Sequence, residues 1–454
     1  MNVMRRHVRA VAIAITAVAF TGITGTAQNA AAALPPGNAI EQWNKIAENT
    51  VVGSGAFQNE GLIYMAYESA AVYDAVVAIK GDYAPYSAPI PAPAGASADA
   101  AVVEAAYRTL VNYFPTQAAT LGAQYAEALA LIPDGTAKND GKAVGLAAAN
   151  QIINLRNGDG RMTPIGVSTS FPTVAQAPGV WRLTPSLTGS FALPQTPWVA
   201  NVRTFILGSA DQVLPDPPPS LQSSDWVEGF NEIKSYGAAN SSMRTTDQTN
   251  VARFWSANVI RQYNGLARDV ADACGLDLVR TARLAAMVNV VGADAQISVM
   301  YAKYHYLFWR PVTAINGGLD STAVTGDGFG PVPGYDDGNA ATAEQAGWRP
   351  LLPTPNHPEY PAAHGSVSSA MAEVFSTFLG TSRIDVGIHG FDPSGVPLNL
   401  SAVRHFDTAQ DLRKEIVDAR VWAGVHYRFS GVAGVVLGRK VAKYDLRRAF
   451  QPVG

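Results

Sequence analysis

The chain has 454 residues, more than one hydrophobic core usually organises, so a large domain or two fused halves is expected. Hydrophobic residues make up 48% and charged residues 15%, ample material for a buried interior. The net charge of -3 argues against a general nucleic-acid surface, so any anion site must be a local cluster of cations.

Residues 1–33 read as an export signal. Arg5, Arg6 and Arg9 give a basic start, Ala10 to Phe20 an uncharged apolar run, and Ala27 to Ala33 small residues for cleavage. The run is too short to span a bilayer. An amphipathic first helix is the alternative, and the surroundings of Arg5-Arg6 fit a twin-arginine signal poorly. The expectation is a secreted or extracytoplasmic protein with no membrane span after cleavage. Cys274 is the single cysteine, so no intrachain disulfide can form. Its place between helices marks a structural connection and not a nucleophile.

Apolar residues at helical spacing run through Gly61 to Ile79, with Leu62, Met65, Ala66, Ala70, Tyr73, Val76 and Val77 on repeat. Ala98 to Tyr113, Gln117 to Leu131 and Ala137 to Arg156 continue the pattern, predicting an N-terminal helical bundle. Gly158 to Leu221 is rich in Gly, Pro, Ser and Thr, with Trp181 and Trp198, and is expected to be a long ordered connection around that bundle. Helices resume at a capping box, Thr245 to Gln248. Asp277 can cap a long helix running to Lys303. Gly317 to Gly347 is a Gly/Asp-rich loop, and Asp336-Asp337 within it reads as flexible acid in preference to a cation site. A helix follows His364 and stops at Gly380. The last helical run is expected over Asp407 to about Trp422. Strand alternation is scarce and no repeat is visible, so the fold class is all-α, of helical bundles with long irregular connections.

Three segments carry chemistry. In the first, Lys303 and Arg310 are close to two helical turns apart, which predicts that they share a helix face ended by Pro311. Two cations among Tyr304, Tyr306, Phe308 and Trp309 suit a partly buried anion clamp; a salt-bridged helix end is the alternative. In the second, prolines bring His357-Pro-Glu-Tyr-Pro361-Ala362-Ala363-His364 to a helix start, where N–H groups favour an anion. A structural cap is the other reading of His364. In the third, Gly424 can end the helix of Arg420 and redirect His426; Arg428 reads as surface charge.

Lys-x6-Arg-Pro, Pro-x-x-His and Arg-x5-His, in that order, resemble the three-part signature of vanadium-dependent haloperoxidases and type 2 phosphatidic acid phosphatases. The flanks, His357-Pro-x-Tyr-Pro, Gly424-Val-His426-Tyr-Arg-Phe429 and Phe406 with Ala409, are similar to the haloperoxidase branch, and the likeness runs from about residue 55 to 450. It implies helical bundles of that type, with an N-terminal bundle and connection over 34–221 and the oxyanion region over 222–454. It also implies roles. His426 would bind vanadium, or attack phosphorus in a phosphatase. Arg310, Arg420 and the Ala363 backbone would hold oxygens of vanadate or phosphate. Lys303 would polarise bound peroxide, and His364 would be the acid/base. His357, seven residues before His364, stands where that family tends to have histidine in bromoperoxidases; a plain cap of the turn at Pro358 is its bland alternative. Partners implied are hydrogen peroxide, a halide and a small organic substrate. The motif usually reads Pro-Ser-Gly-His, whereas this chain has Pro361-Ala362-Ala363-His364. The lost hydroxyl weakens the oxyanion site unless a neighbour such as Ser366 replaces it. Haloperoxidase, acid phosphatase and a degenerate phosphate-binding protein therefore all stay open.

Overall fold

Capping signals and apolar periodicity emerge as helices at both ends of a computed structural model that describes residues 33–163, 177–184, 194–316, 336–390 and 402–453. The expected export signal and most of the Gly317 to Gly347 loop lie outside those residues. Helix α1 (Ala39–Gly53) starts with a capping box between Asn38 and Glu41. It is followed by α2 (Gln58–Lys80), α3 (Ala98–Tyr113), α4 (Ala118–Ala130) and α5 (Thr136–Leu155), close to the periodic segments. The described parts of 158–221 are mostly irregular, with two short 3-10 turns. Then come α6 (Ser224–Tyr236), α7 (Thr246–Phe254), α8 (Val259–Cys274), α9 (Leu278–Tyr306) and α10 (Pro311–Asn316). Thr245 and Gln248 form the expected box before α7, and the Asp277 side chain accepts the Arg280 N–H at 2.9 Å to start α9. Cys274 is the last residue of α8, exposed, before left-handed Gly275.

The last third contains α11 (Ala363–Leu379), α12 (Ala409–Trp422) and α13 (Arg428–Asp445), plus a two-stranded antiparallel hairpin, β1 (Val386–His389) with β2 (Val403–Phe406). Helix α13 corrects the expectation that helix ends near Trp422. Its glycines depress helix propensity and hid it in the sequence. In the fold they are the reason it is there. A Cβ on Gly434 would stand 2.3 Å from the Ala362 carbonyl oxygen, and one on Gly438 1.9 Å from that of Ser366, so only glycine lets α13 cross α11 so closely.

Helices α2 and α9 are apolar all round and buried all round. Both are long and apolar enough to cross a membrane, but 89% and 94% of those stretches are buried within the protein, as central core helices are. The main hydrophobic cluster draws on α1 to α5, α7 to α9 and α11 to α13, with α9 at its centre.

One polar feature interrupts this core. On α9 the Asp294 carboxylate accepts the N–H groups of Phe205, Ile206 and Leu207 at 2.6, 2.8 and 3.1 Å. Burial still pushes its pKa up to about 6. Asp445, the last residue of α13, stands against it, and burial followed by the Asp294 charge holds the Asp445 carboxyl well above the usual range. Carboxyls raised in the folded state stabilise below about pH 4 and lose that contribution as pH climbs through their folded values. Asp445→Asn, which cannot ionise, is therefore expected to raise the Tm at pH 7 by a few degrees, with the gain vanishing near pH 4. Thermal unfolding across that range checks it; an unchanged or lower Tm at pH 7 contradicts it.

Candidate active site

Four chain segments meet at the N-terminal end of α11. Lys303 lies in the last turn of α9, fully buried, and its Nζ donates to the carbonyls of Pro358 and Glu359 at 2.9 and 2.8 Å. Arg310 does not share its helix, as the spacing predicted. Helix α9 ends at Tyr306, and Leu307 turns left-handed at φ 48°, its N–H closing on the Lys303 carbonyl. Pro311 opens α10 instead of ending α9, a position where its missing N–H costs nothing. The turn still brings Arg310 to the site by another path. Its Nε donates to the His357 carbonyl at 2.9 Å, Nη1 to the Val425 carbonyl at 2.8 Å, and Nη2 lies 3.0 Å from His357 Nδ1.

The third segment ends α12 as expected. Gly424 takes φ 78°, and a Cβ there would meet the Gly237 carbonyl oxygen at 2.4 Å. This bend turns His426 back beneath α11. Arg420 Nη1 donates to the Trp255 carbonyl at 3.2 Å, and His364, in the first turn of α11, hydrogen-bonds the same oxygen. Trp255 follows α7, so its carbonyl is one that the helix leaves without an internal partner. Sequence reading missed it because a backbone oxygen leaves no residue signature.

Sequence reading also passed over Glu359. Its side chain is fully buried, and Oε1 accepts from His426 Nδ1 at 2.8 Å and from the Tyr427 N–H at 3.1 Å. A carboxylate isolated among prolines and aromatics was the available signal. His357 has two partners: Nδ1 is 3.1 Å from the Pro358 carbonyl as well as 3.0 Å from Arg310. The local turn and the link to the site are both present.

An aromatic wall closes the rear. Trp226 and Trp309 stack at 5.7 Å between ring centroids, and Tyr427 stacks on Phe429 at 5.1 Å. Trp226 Nε1 donates to Asp337 at 2.7 Å, and the Thr342 hydroxyl bonds the same carboxylate, so that acid anchors its loop. Arg428 is more than surface charge: it pairs with Glu232 and Asp418, each at 2.7 Å, tying α13 to α6 and α12. In front, a pocket of about 240 Å³ is lined by His357, Ala363, His364 and His426, with Phe57 and Val259 among its walls.

Burial dominates the electrostatics. It lowers Arg310 to about 10 and Arg420 to about 9, with Arg310 itself the second cause for Arg420. Lys303 is pushed well below its ordinary value by burial and then by Arg310. Burial, followed by the neighbouring cations, keeps His357, His364 and His426 neutral. Glu359, raised by burial to about 7, is the one carboxylate set against these cations among the described residues near the site.

Several polar atoms remain open. Arg420 Nε and His364 Nε2 are buried without hydrogen-bond partners. Lys303 has one N–H left after two bonds, and Arg310 one on Nη2. No side chain caps the first turn of α11, whose Ala363 is in regular helical conformation, so alanine replaces glycine there without strain. Unspent cationic N–H groups, a helix N-terminus and a neutral imidazole fit a tetrahedral oxyanion. The structure brings together every predicted site residue: Lys303, Arg310, His357, Ala363, His364, Arg420 and His426. Ser366 does not replace the missing hydroxyl, because its Oγ bonds the Ala295 carbonyl at 3.2 Å.

Residues 283–453 match the family model for the VCPO second helical-bundle domain. The vanadium chloroperoxidase of Curvularia inaequalis is 26% identical over 291 residues, 52% of this chain and 46% of that protein, so the match spans about half of the relative's length. A bacterial vanadium-dependent iodoperoxidase superposes with TM-score 0.72 at 20% identity, covering 93% of this chain and all of the other. A bacterial vanadium-dependent chloroperoxidase gives 0.66 at 16% identity, covering 91% and 98%. At those identities the two structures speak for the fold.

Ala362 caps α11 with its side chain fully buried. Ala362→Ser is expected to tighten phosphate or vanadate binding by ~10- to 100-fold, the effect of one hydrogen bond to a charged group. Calorimetric titration decides; unchanged affinity means that the hydroxyl does not reach the anion.

Proposed function

We propose that this chain, whose residues 283–453 match the VCPO second helical-bundle domain, is a vanadate-dependent haloperoxidase. It oxidises halide with hydrogen peroxide and passes the oxidised halogen to small organic substrates. The observation that carries this reading is the imidazole of His426, pinned at Nδ1 and set among buried cations whose N–H groups are not all spent.

Vanadate, when bound, supplies an electrophilic centre for activating peroxide. The chain's own residues do the rest. His426 Nε2 would hold the metal, while Arg420, Arg310, Lys303 and the first-turn N–H groups of α11 would hold oxygens. Their charge is fixed in place before any ligand arrives, so little reorganisation opposes the reaction. His364 keeps Nε2 free of other partners and can take a proton from peroxide and return it. The aromatic wall excludes water from the rear. Export fits this reading: the basic, apolar and small-residue stretches of residues 1–33 would deliver a secreted or extracytoplasmic enzyme to its peroxide.

His357 lines the pocket and is hydrogen-bonded to Arg310, which makes the halide approach polar. A polar approach favours the more easily oxidised halides. Protein loaded with orthovanadate is expected to oxidise iodide and bromide faster than chloride, each measured at its own pH optimum. Chloride turnover equal to bromide would contradict the role of His357. Hydrolysis of a phosphate monoester by vanadate-free protein, with no turnover of any halide, would make it a phosphatase.

A further inference from the structure

Glu359 occupies the position that the His-Pro-x-Tyr-Pro resemblance leaves open. We infer that Glu359 is the positioning residue that fixes His426 as its Nδ1–H tautomer, keeping the Nε2 lone pair free for the electrophilic atom of a bound oxyanion. The inference rests on the functional reading above and deepens it.

One contact sets the tautomer. An ionised carboxylate can only accept, so the 2.8 Å contact from His426 Nδ1 to Glu359 Oε1 places the proton on Nδ1. Arg310 Nη1 lies 3.2 Å from Nε2 and 3.5 Å from Nδ1, close to both ring nitrogens. That contact does not distinguish the two nitrogens, so the carboxylate decides between them. Reversing the tautomer would leave the carboxylate facing a lone pair.

One oxygen of the carboxylate is held from two sides. This Oε1 takes a second bond from the Tyr427 N–H, immediately after His426 in the chain, so backbone and ring of one segment are fixed by one oxygen. The Glu359 N–H donates to the Phe308 carbonyl at 2.9 Å, and the Glu359 carbonyl accepts from Lys303 Nζ. Glu359 therefore joins the segments carrying Lys303, Arg310 and His426. A carboxylate behind a metal-bound imidazole orients it and raises its basicity, and losing such a partner typically costs 10- to 100-fold in metal affinity.

The test uses the full chain. Nitrogen-15 NMR of histidine-labelled, ligand-free protein reports which ring nitrogen of His426 carries the proton; its signals are those that vanish in His426→Asn. The wild type is expected to show Nδ1–H with an unprotonated Nε2. Glu359→Gln, whose amide oxygen can still accept, should retain that tautomer and bind orthovanadate about 10-fold more weakly. Glu359→Ala should give a tautomer mixture and bind 10- to 100-fold more weakly. An Nε2–H signal in the wild type overturns the inference whether or not the alanine variant folds. So does a folded alanine variant with unaltered tautomer and affinity. A wild type that shows Nδ1–H yet fails to bind orthovanadate sinks the functional reading and leaves the positioning role intact.

Discussion

Three cations are buried at one point with, among the described residues, a single carboxylate beside them, and much of the surrounding architecture serves to keep them there. Moving an ammonium or guanidinium out of water costs several kcal/mol even after relaxation. Lys303, Arg310 and Arg420 recover part of that from backbone carbonyls of Pro358, Glu359, His357, Val425 and Trp255. They do not recover all of it: Arg420 Nε has no partner, and the pKa values of all three are depressed. A protein that only needed stability would replace such a cluster with apolar side chains. A cluster kept under this electrostatic load is complementary to an anion that supplies the missing charge, and an anion bound there stabilises the fold in turn.

The scaffold supplies the opposing force through packing. Helix α9 fills the core and delivers Lys303 at its end. The α11–α13 crossing, made possible by Gly434 and Gly438, sets the first turn of α11 over the cations. The stacked Trp226 and Trp309 exclude water from the rear, which strengthens every charge interaction in front of them. Neutral histidines follow from the same field. Each sits among cations that oppose a further positive charge, so each enters the chemistry neutral, as a base or a ligand.

Much of this was legible from residue types and order. The caps at Thr245 and Asp277, the stop at Gly380 and the bend at Gly424 are local effects, and local effects survive folding. The convergence of Lys303, Arg310, His364, Arg420 and His426 was visible because three spaced motifs carried it. Long-range geometry was not. A shared helix face for Lys303 and Arg310 assumed that the helix continued, whereas Leu307 adopts a left-handed turn that no propensity rule would assign to leucine. Helix α13 was obscured because its glycines act through tertiary contact, overriding their local cost. Glu359 lay inside a motif as an unspecified position, and its meaning depends on a histidine 67 residues later in the chain.

The account stands on the claim that these buried groups form one oxyanion site. A crystal structure of the full chain soaked with orthovanadate tests it most directly. The expected density is a single anion bonded to His426 Nε2, with oxygens against Arg420 Nε, Lys303 Nζ and the start of α11. An anion bound elsewhere, or a cluster that stays empty at saturating vanadate, would contradict it.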